Sequence, residues 1–151
     1  MKPWIWLKAA AILQAFFALG HTLGGIPSKA IRGAQEQALF DSMRALRFDV
    51  MGTMRSHWDF YQGFGLTISV NLAILAVLMW QLGTMSRGDG EGARPLMVTL
   101  LLSEIMIGAL SWKYFFAGPV VTSILVSLCL AVALVTSHRN EPVTSQIVAA
   151  G

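Results

Sequence analysis

Four long apolar runs divide this chain, and polar segments separate them. Each run has roughly the 17–25 residues that an α-helix needs to cross a hydrocarbon layer about 30 Å thick. Because backbone polar groups in lipid must be satisfied within the segment, the runs are predicted to be helices. Their predicted bounds are 4–25, 58–82, 96–117 and 119–137.

The connection between the first two runs carries a helical pattern of its own. Its apolar positions recur at spacings of three and four residues, at Leu39, Met43, Leu46 and Val50. Charged residues take the other faces, which predicts a short amphipathic helix at the membrane interface over about 34–51. The predicted fold is therefore all-α, a transmembrane four-helix bundle forming one integral membrane domain over 1–151, with this interfacial helix between spans 1 and 2.

Composition agrees with a membrane location. The chain is 55% hydrophobic and 13% charged, whereas a soluble domain carries about 25% charged residues. The net charge of +3 is too small and scattered for a nucleic-acid-binding surface. Cys129 is the single cysteine, which excludes a disulfide framework and a CxxC redox pair. Basic residues flank both ends of the predicted spans almost equally, so the positive-inside rule leaves the orientation open.

Polar side chains inside apolar spans are costly and therefore mark candidate functional positions. Counting along each predicted helix at about 1.5 Å per residue places these side chains in layers. The predicted ligand-binding residues comprise a midplane layer, a second layer nearer the long connection and a mouth: Gln14, Asn71 and Glu104; His21 and Trp112; His57 and Asp59.

Glu104 carries the clearest chemistry. A carboxyl group at mid-bilayer must be protonated, paired with a cation or hydrated, and no Lys or Arg lies at its depth. Glu104 is a candidate acid, with His21 as a candidate base. The alternative is that both groups only hold helices together through hydrogen bonds.

The segment GHTLGG places His21 between Gly20 and Gly24, a GxxxG pair that predicts close approach of a neighbouring helix. In the segment SHWDFYQGFG, Ser56 followed three residues later by Asp59 predicts a capping box at the start of the second span. No zinc motif, phosphate loop or nucleophile motif is visible, and two histidines at one depth for haem are not evident. No metal or cofactor is predicted.

The segments ALGHTLGG, RFDVMG and WDFYQGFG resemble a family of small four-span bacterial inner-membrane proteins with no characterised activity. The resemblance covers most of the chain and implies a location in the bacterial inner (plasma) membrane. It implies no reaction.

These observations leave three functions open. The first is binding of a small apolar or lipid-like molecule in a cavity within the bundle, lined by His21 and Glu104. The second is an accessory or assembly subunit of a membrane complex, with a homo-oligomer or membrane-protein partner and no chemistry of its own. The third is a lipid-modifying enzyme of the isomerase type. Membrane lipids are the expected partners, and nucleic acid is not.

Overall fold

The computed structural model describes residues 2–25 and 33–137. Within these residues the elements follow in the order α1 (Pro3–Gly20), α2 (Ala34–Ala45), β1 (Arg47–Val50), β2 (Thr53–Ser56), α3 (His57–Met85), α4 (Arg94–Tyr114) and α5 (Ala117–Ser137). A π-helical turn, His21–Gly25, continues α1. The predicted all-α class is confirmed, and a small two-stranded sheet is added to it.

Among the described residues, four segments are long and apolar enough to cross a membrane: Pro3–Gly24, His57–Met85, Arg94–Tyr114 and Ala117–Ser137. Each end lies within about three residues of the bound predicted from the apolar runs. The length and composition of these helices indicate an integral membrane protein.

The chain divides into two compact units. Among the described residues, the helical unit comprises 2–17 and 74–137, and the hairpin unit comprises 18–25 and 33–73. In the helical unit, α1, α3, α4, α5 and the α3–α4 loop contribute to one cluster of buried apolar side chains: Leu7, Ala10, Ala11, Met79, Leu82, Ala93, Met97, Leu100, Val126, Leu130 and Ala133.

Two glycines allow close helix contacts in the helical unit. A Cβ atom at Gly83 of α3 would lie 3.2 Å from the Leu7 Cβ of α1, and one at Gly108 of α4 would lie 3.3 Å from the Ser123 Cβ of α5. The predicted close-approach pair is wrong, because a Cβ at Gly20 or Gly24 would have no described atom within 4 Å. GxxxG spacing offers room for a neighbour but does not determine where the neighbour packs.

The interfacial helix predicted over 34–51 is correct in its first part and wrong in its second part. Helix α2 ends at Ala45, and Arg47–Val50 pairs antiparallel with Thr53–Ser56. The two-residue loop, Met51 and Gly52, has positive φ angles of 54° and 84°, as in a type I′ hairpin turn. Asp49 Oδ1 accepts a hydrogen bond of 2.7 Å from the Gly52 amide. A tight turn at Gly52 thus folds the end of the periodic segment into a strand.

The predicted capping box at the start of α3 is confirmed. The Ser56 amide donates to Asp59 Oδ2 at 2.8 Å, and the Asp59 amide donates to Ser56 Oγ at 3.2 Å. Each side chain therefore satisfies a backbone donor that the first turn of a helix leaves without a partner.

Candidate functional site

The helical unit buries two long polar side chains. Gln14 of α1 is 1% exposed and Glu104 of α4 is 2% exposed. The Oε1 atom of each is buried and has no hydrogen-bond partner among the described residues. A buried acceptor without a hydrogen-bond donor costs free energy. These two oxygen atoms are therefore the positions in the core that most need an explanation.

The two side chains lie at one depth. The Arg87 guanidinium carbon, just beyond α3, lies 4.3 Å from the Trp4 ring centroid near the start of α1. The short segment after α3 leads directly into α4, so α1 and α4 begin at the same end of the helical unit. At 1.5 Å per residue, Gln14 lies about 16 Å along α1 and Glu104 about 15 Å along α4.

His21 makes a contact within the hairpin unit. Its Nδ1 atom lies 3.0 Å from the Ser69 hydroxyl of α3, which also donates to the Gly65 carbonyl at 3.2 Å. This contact links the π-helical turn after α1 to α3. It supplies a structural role for His21 as a hydrogen bond between helices, one of the two alternatives drawn from the sequence.

Two predicted lining residues face outward. Trp112 is 80% exposed, and Asn71 is exposed with its amide donating to the Thr67 carbonyl one turn earlier at 2.8 Å. Neither side chain is buried among the described residues, although both are predicted to line the cavity. In the part of α3 that belongs to the hairpin unit, the buried positions are Ser69 and Leu72, so the inward stripe lies beside the one that contains Asn71.

His57 and Asp59, the predicted mouth residues, lie at the start of α3 beside the hairpin. The His57 ring packs against Phe48 of β1 with ring centroids 4.8 Å apart. Asp59 closes the capping box and also lines a cleft of about 250 Å³. The remaining lining residues of this cleft are Arg55, Phe60, Gly63, Phe64 and Thr67.

Two arginine side chains meet at this part of the hairpin unit. The sequence pattern did not predict this contact. Arg47 Nη2 and Arg55 Nη1 each donate to the Met54 carbonyl at 3.4 Å. Both side chains are exposed, and the salt bridge found among the described residues joins Arg44 to Asp41 instead. The sequence signal is only a pair of arginines on either side of the turn at Gly52, and it becomes informative once both side chains are seen to reach the Met54 carbonyl.

An aromatic cluster borders the same region. Trp58 packs edge-on against Phe40 of α2, with centroids 5.2 Å apart, and it stacks on Tyr61 at 5.7 Å. The Arg44 guanidinium lies 4.3 Å from the Trp58 ring centroid, a cation–π contact. Indole and phenol rings of this kind favour the interface between lipid and water.

A second cleft, of about 530 Å³, lies in the helical unit and is lined by Lys2, Pro3, Trp4, Ser86 and Arg87. Neither His21 nor Glu104 lines either cleft. Among the described residues no group of three or more His, Cys, Asp or Glu side chains is placed to hold a metal ion.

Comparison with protein families, with curated proteins and with solved structures finds no match for this chain. The candidate site therefore depends on its own chemistry: two exposed guanidinium groups beside an apolar cleft on an apolar helix.

Proposed function

We propose that this protein is a four-helix transmembrane bundle, a single integral membrane domain that binds an anionic lipid-like amphiphile at the hairpin cleft. The observation that carries the proposal is the convergence of Arg47 and Arg55 beside an apolar groove on α3. The proposal keeps the ligand class expected from the sequence and moves the site from the bundle interior to the hairpin unit.

The arginines supply the recognition of charge. Each guanidinium has five N–H donors, and each is observed to give one of them to the Met54 carbonyl. Two planar donor groups that meet at one carbonyl present their other N–H groups close together, an arrangement suited to a phosphate. Asp59 lines the cleft beside Arg55, but its carboxylate accepts the Ser56 amide. Arg47, which reaches the same Met54 carbonyl as Arg55, adds a second positive charge next to the cleft.

The groove supplies the apolar part of the site. Phe60, Gly63, Phe64 and Thr67 occupy positions i, i+3, i+4 and i+7, which is one face of α3. A Cβ atom at Gly63 would meet no described atom within 4 Å, so the glycine leaves the groove open beside the two rings. A volume of about 250 Å³ lies below the ~300–1,000 Å³ of sites for drug-sized molecules. It suits one part of an amphiphile, such as the first segment of an acyl chain.

The length of α3 is consistent with a site at the membrane surface. Its 29 residues extend about 43 Å at 1.5 Å per residue, whereas the hydrocarbon core is about 30 Å thick. Several residues of α3 must therefore lie at headgroup level. The aromatic cluster around Trp58 favours placing the first turns there.

The proposal is tested by native mass spectrometry of the purified protein with added phosphatidylglycerol or phosphatidylcholine of the same acyl chains. The variants are Arg47→Gln, Arg55→Gln and the double variant. A basic residue near an anionic surface contributes about 1 kcal/mol, so each single substitution is expected to lower phosphatidylglycerol retention about fivefold. Phosphatidylcholine retention is expected to fall much less, because its choline cation offsets the charge of its phosphate.

Lys113→Gln is the matched control, because Lys113 is an exposed cation that lines neither described cleft. Arg87→Gln tests the second cleft as the competing location. Equal losses in Lys113→Gln and Arg55→Gln would mean that overall charge governs retention, and a loss confined to Arg87→Gln would move the site to the second cleft. Either result contradicts the proposal. The accessory-subunit and isomerase alternatives remain predictions from the sequence.

A further inference from the structure

We propose that Glu104 is a proton-binding site at the centre of the helical unit, and that buried hydroxyl groups between α4 and α5 carry its proton to and from water. This inference is independent of the hairpin cleft. Glu104 is 2% exposed, and its Oε1 atom has no donor among the described residues. An ionised carboxylate in that position would have neither a counter-ion nor a full set of hydrogen bonds, whereas the neutral acid is far less costly to bury.

The basic side chains on α1 and α4 contact other groups near the ends of the helices. On α1, the Lys8 ammonium lies 4.2 Å from the Trp80 ring centroid. On α4, Arg94 donates to the Leu134 carbonyl at 3.2 Å and to the Ser137 hydroxyl at 3.0 Å, and Lys113 lies over the Tyr114 ring at 5.1 Å. The α3 segment 74–85 and helix α5 carry no Lys, Arg, Asp, Glu or His, and the remaining titratable group on α5 is the Cys129 thiol.

Two further features favour a proton over a metal ion as the occupant. No group of three or more His, Cys, Asp or Glu side chains is placed together in the described chain. Gln14, the other long polar side chain in this layer, offers a neutral amide oxygen that also lacks a donor. One carboxyl group and one amide supply too few charged ligands for a divalent cation, but a single carboxyl is sufficient to hold a proton.

Two buried serine hydroxyl groups lie between Glu104 and the end of α4. Gly108 and Ser111 follow Glu104 at i+4 and i+7 on the same face, and Ser111 is 3% exposed. Ser123 of α5, also 3% exposed, packs at Gly108, where an added Cβ would approach the Ser123 Cβ to 3.3 Å. Each hydroxyl can both donate and accept a hydrogen bond, so with water bridging the gaps between them the two serines can pass a proton towards the end of α4.

Infrared spectroscopy of the purified protein in lipid tests the site directly. At neutral pH a protonated carboxyl gives a carbonyl stretching band that a carboxylate does not, and Glu104→Gln is expected to remove that band. In D₂O the band is expected to shift as the acid proton is replaced by deuterium. Gln14→Leu is expected to retain the band, because burial in hydrocarbon rather than the amide keeps the acid neutral.

Exchange kinetics test the route. Ser111→Ala and Ser123→Ala are each expected to slow the D₂O shift about tenfold by removing one relay group. Thr122→Ala is the matched control, because the Thr122 hydroxyl donates to the Gly118 carbonyl of its own helix at 3.1 Å. The proton site is refuted if wild type and Glu104→Gln have the same carboxyl spectrum. The route is refuted if Thr122→Ala slows exchange as much as the two serine variants.

Discussion

Replacing Gly83 with alanine tests the packing of α1 against α3. The new Cβ would lie 3.2 Å from both the Leu7 Cβ and the Lys8 Cγ, and 3.4 Å from the Trp4 carbonyl oxygen. The Lys8 side chain can move aside, but the Leu7 Cβ and the Trp4 carbonyl are fixed to the backbone of α1. The two helices must therefore separate by a few tenths of an ångström, or the contact must become strained.

The expected magnitude is a difference of two opposing effects. Alanine is favoured over glycine within a helix by about 1 kcal/mol, whereas overfilling a packed contact costs about 1–3 kcal/mol. The free energy of unfolding is thus expected to fall by up to about 2 kcal/mol in Gly83→Ala. At ~2–4 °C for each kcal/mol, the melting temperature in detergent would fall by up to about 8 °C.

The matched control is Gly20→Ala, since an added Cβ there would meet no described atom within 4 Å. Its melting temperature is expected to stay unchanged or to rise by about 2–4 °C. Thermal unfolding followed by intrinsic tryptophan fluorescence measures both variants, and Gly83→Leu is expected to lose more stability than Gly83→Ala. Equal melting temperatures for Gly83→Leu, Gly20→Ala and wild type would refute the close contact.

Two further predictions concern stability and use the same thermal assay. Ser56→Ala removes the hydroxyl that caps α3 and is expected to lower the free energy of unfolding by about 1 kcal/mol. The control is Ser42→Ala, because the Ser42 hydroxyl donates within its own helix and its loss is expected to change stability much less. Equal losses in the two variants would contradict the capping role. Arg94→Gln removes the hydrogen bonds to the end of α5 and is expected to cost about 1.5–3 kcal/mol. Lys113→Gln serves as its control, and an unchanged melting temperature in Arg94→Gln would show that the connection contributes little.

The sequence predicts the long helices well because their cause is local. A run of about twenty apolar residues contains its own evidence for a span, and the bounds therefore agree closely with the helices observed. The capping box is also local, since Ser56 and Asp59 lie three residues apart. The buried positions of Gln14 and Glu104 agree with the expectation that polar groups in a span turn away from lipid.

The errors have two causes, one a local turn and the other the packing of helices. The helical spacing that ends at Val50 extended the predicted interfacial helix through a strand, because the turn at Gly52 acts over a shorter range. Gly20 and Gly24 had the spacing of a contact pair, yet Gly83 and Gly108 make the close approaches. Only the fold shows which neighbour meets each glycine.

The arginine site could not be predicted for a similar reason. Arg47 pairs with Ser56 and Arg55 pairs with Phe48, so the two side chains start on opposite faces of the hairpin. Their convergence depends on how each guanidinium reaches the Met54 carbonyl. Asn71 is the opposite case, a polar residue predicted to line the site that the structure does not bury. It lies near mid-span and faces outward, and its amide donates to a carbonyl on the preceding turn of its own helix.

The most direct measurement of the proposed function is photo-crosslinking with a phosphatidylglycerol analogue that carries a diazirine near the start of one acyl chain. The account predicts labelling concentrated in the peptide that contains Phe60, Gly63, Phe64 and Thr67, and loss of that labelling in the Arg47→Gln, Arg55→Gln double variant. Labelling spread evenly over the exposed faces of α4 and α5, and unchanged in the double variant, would contradict it.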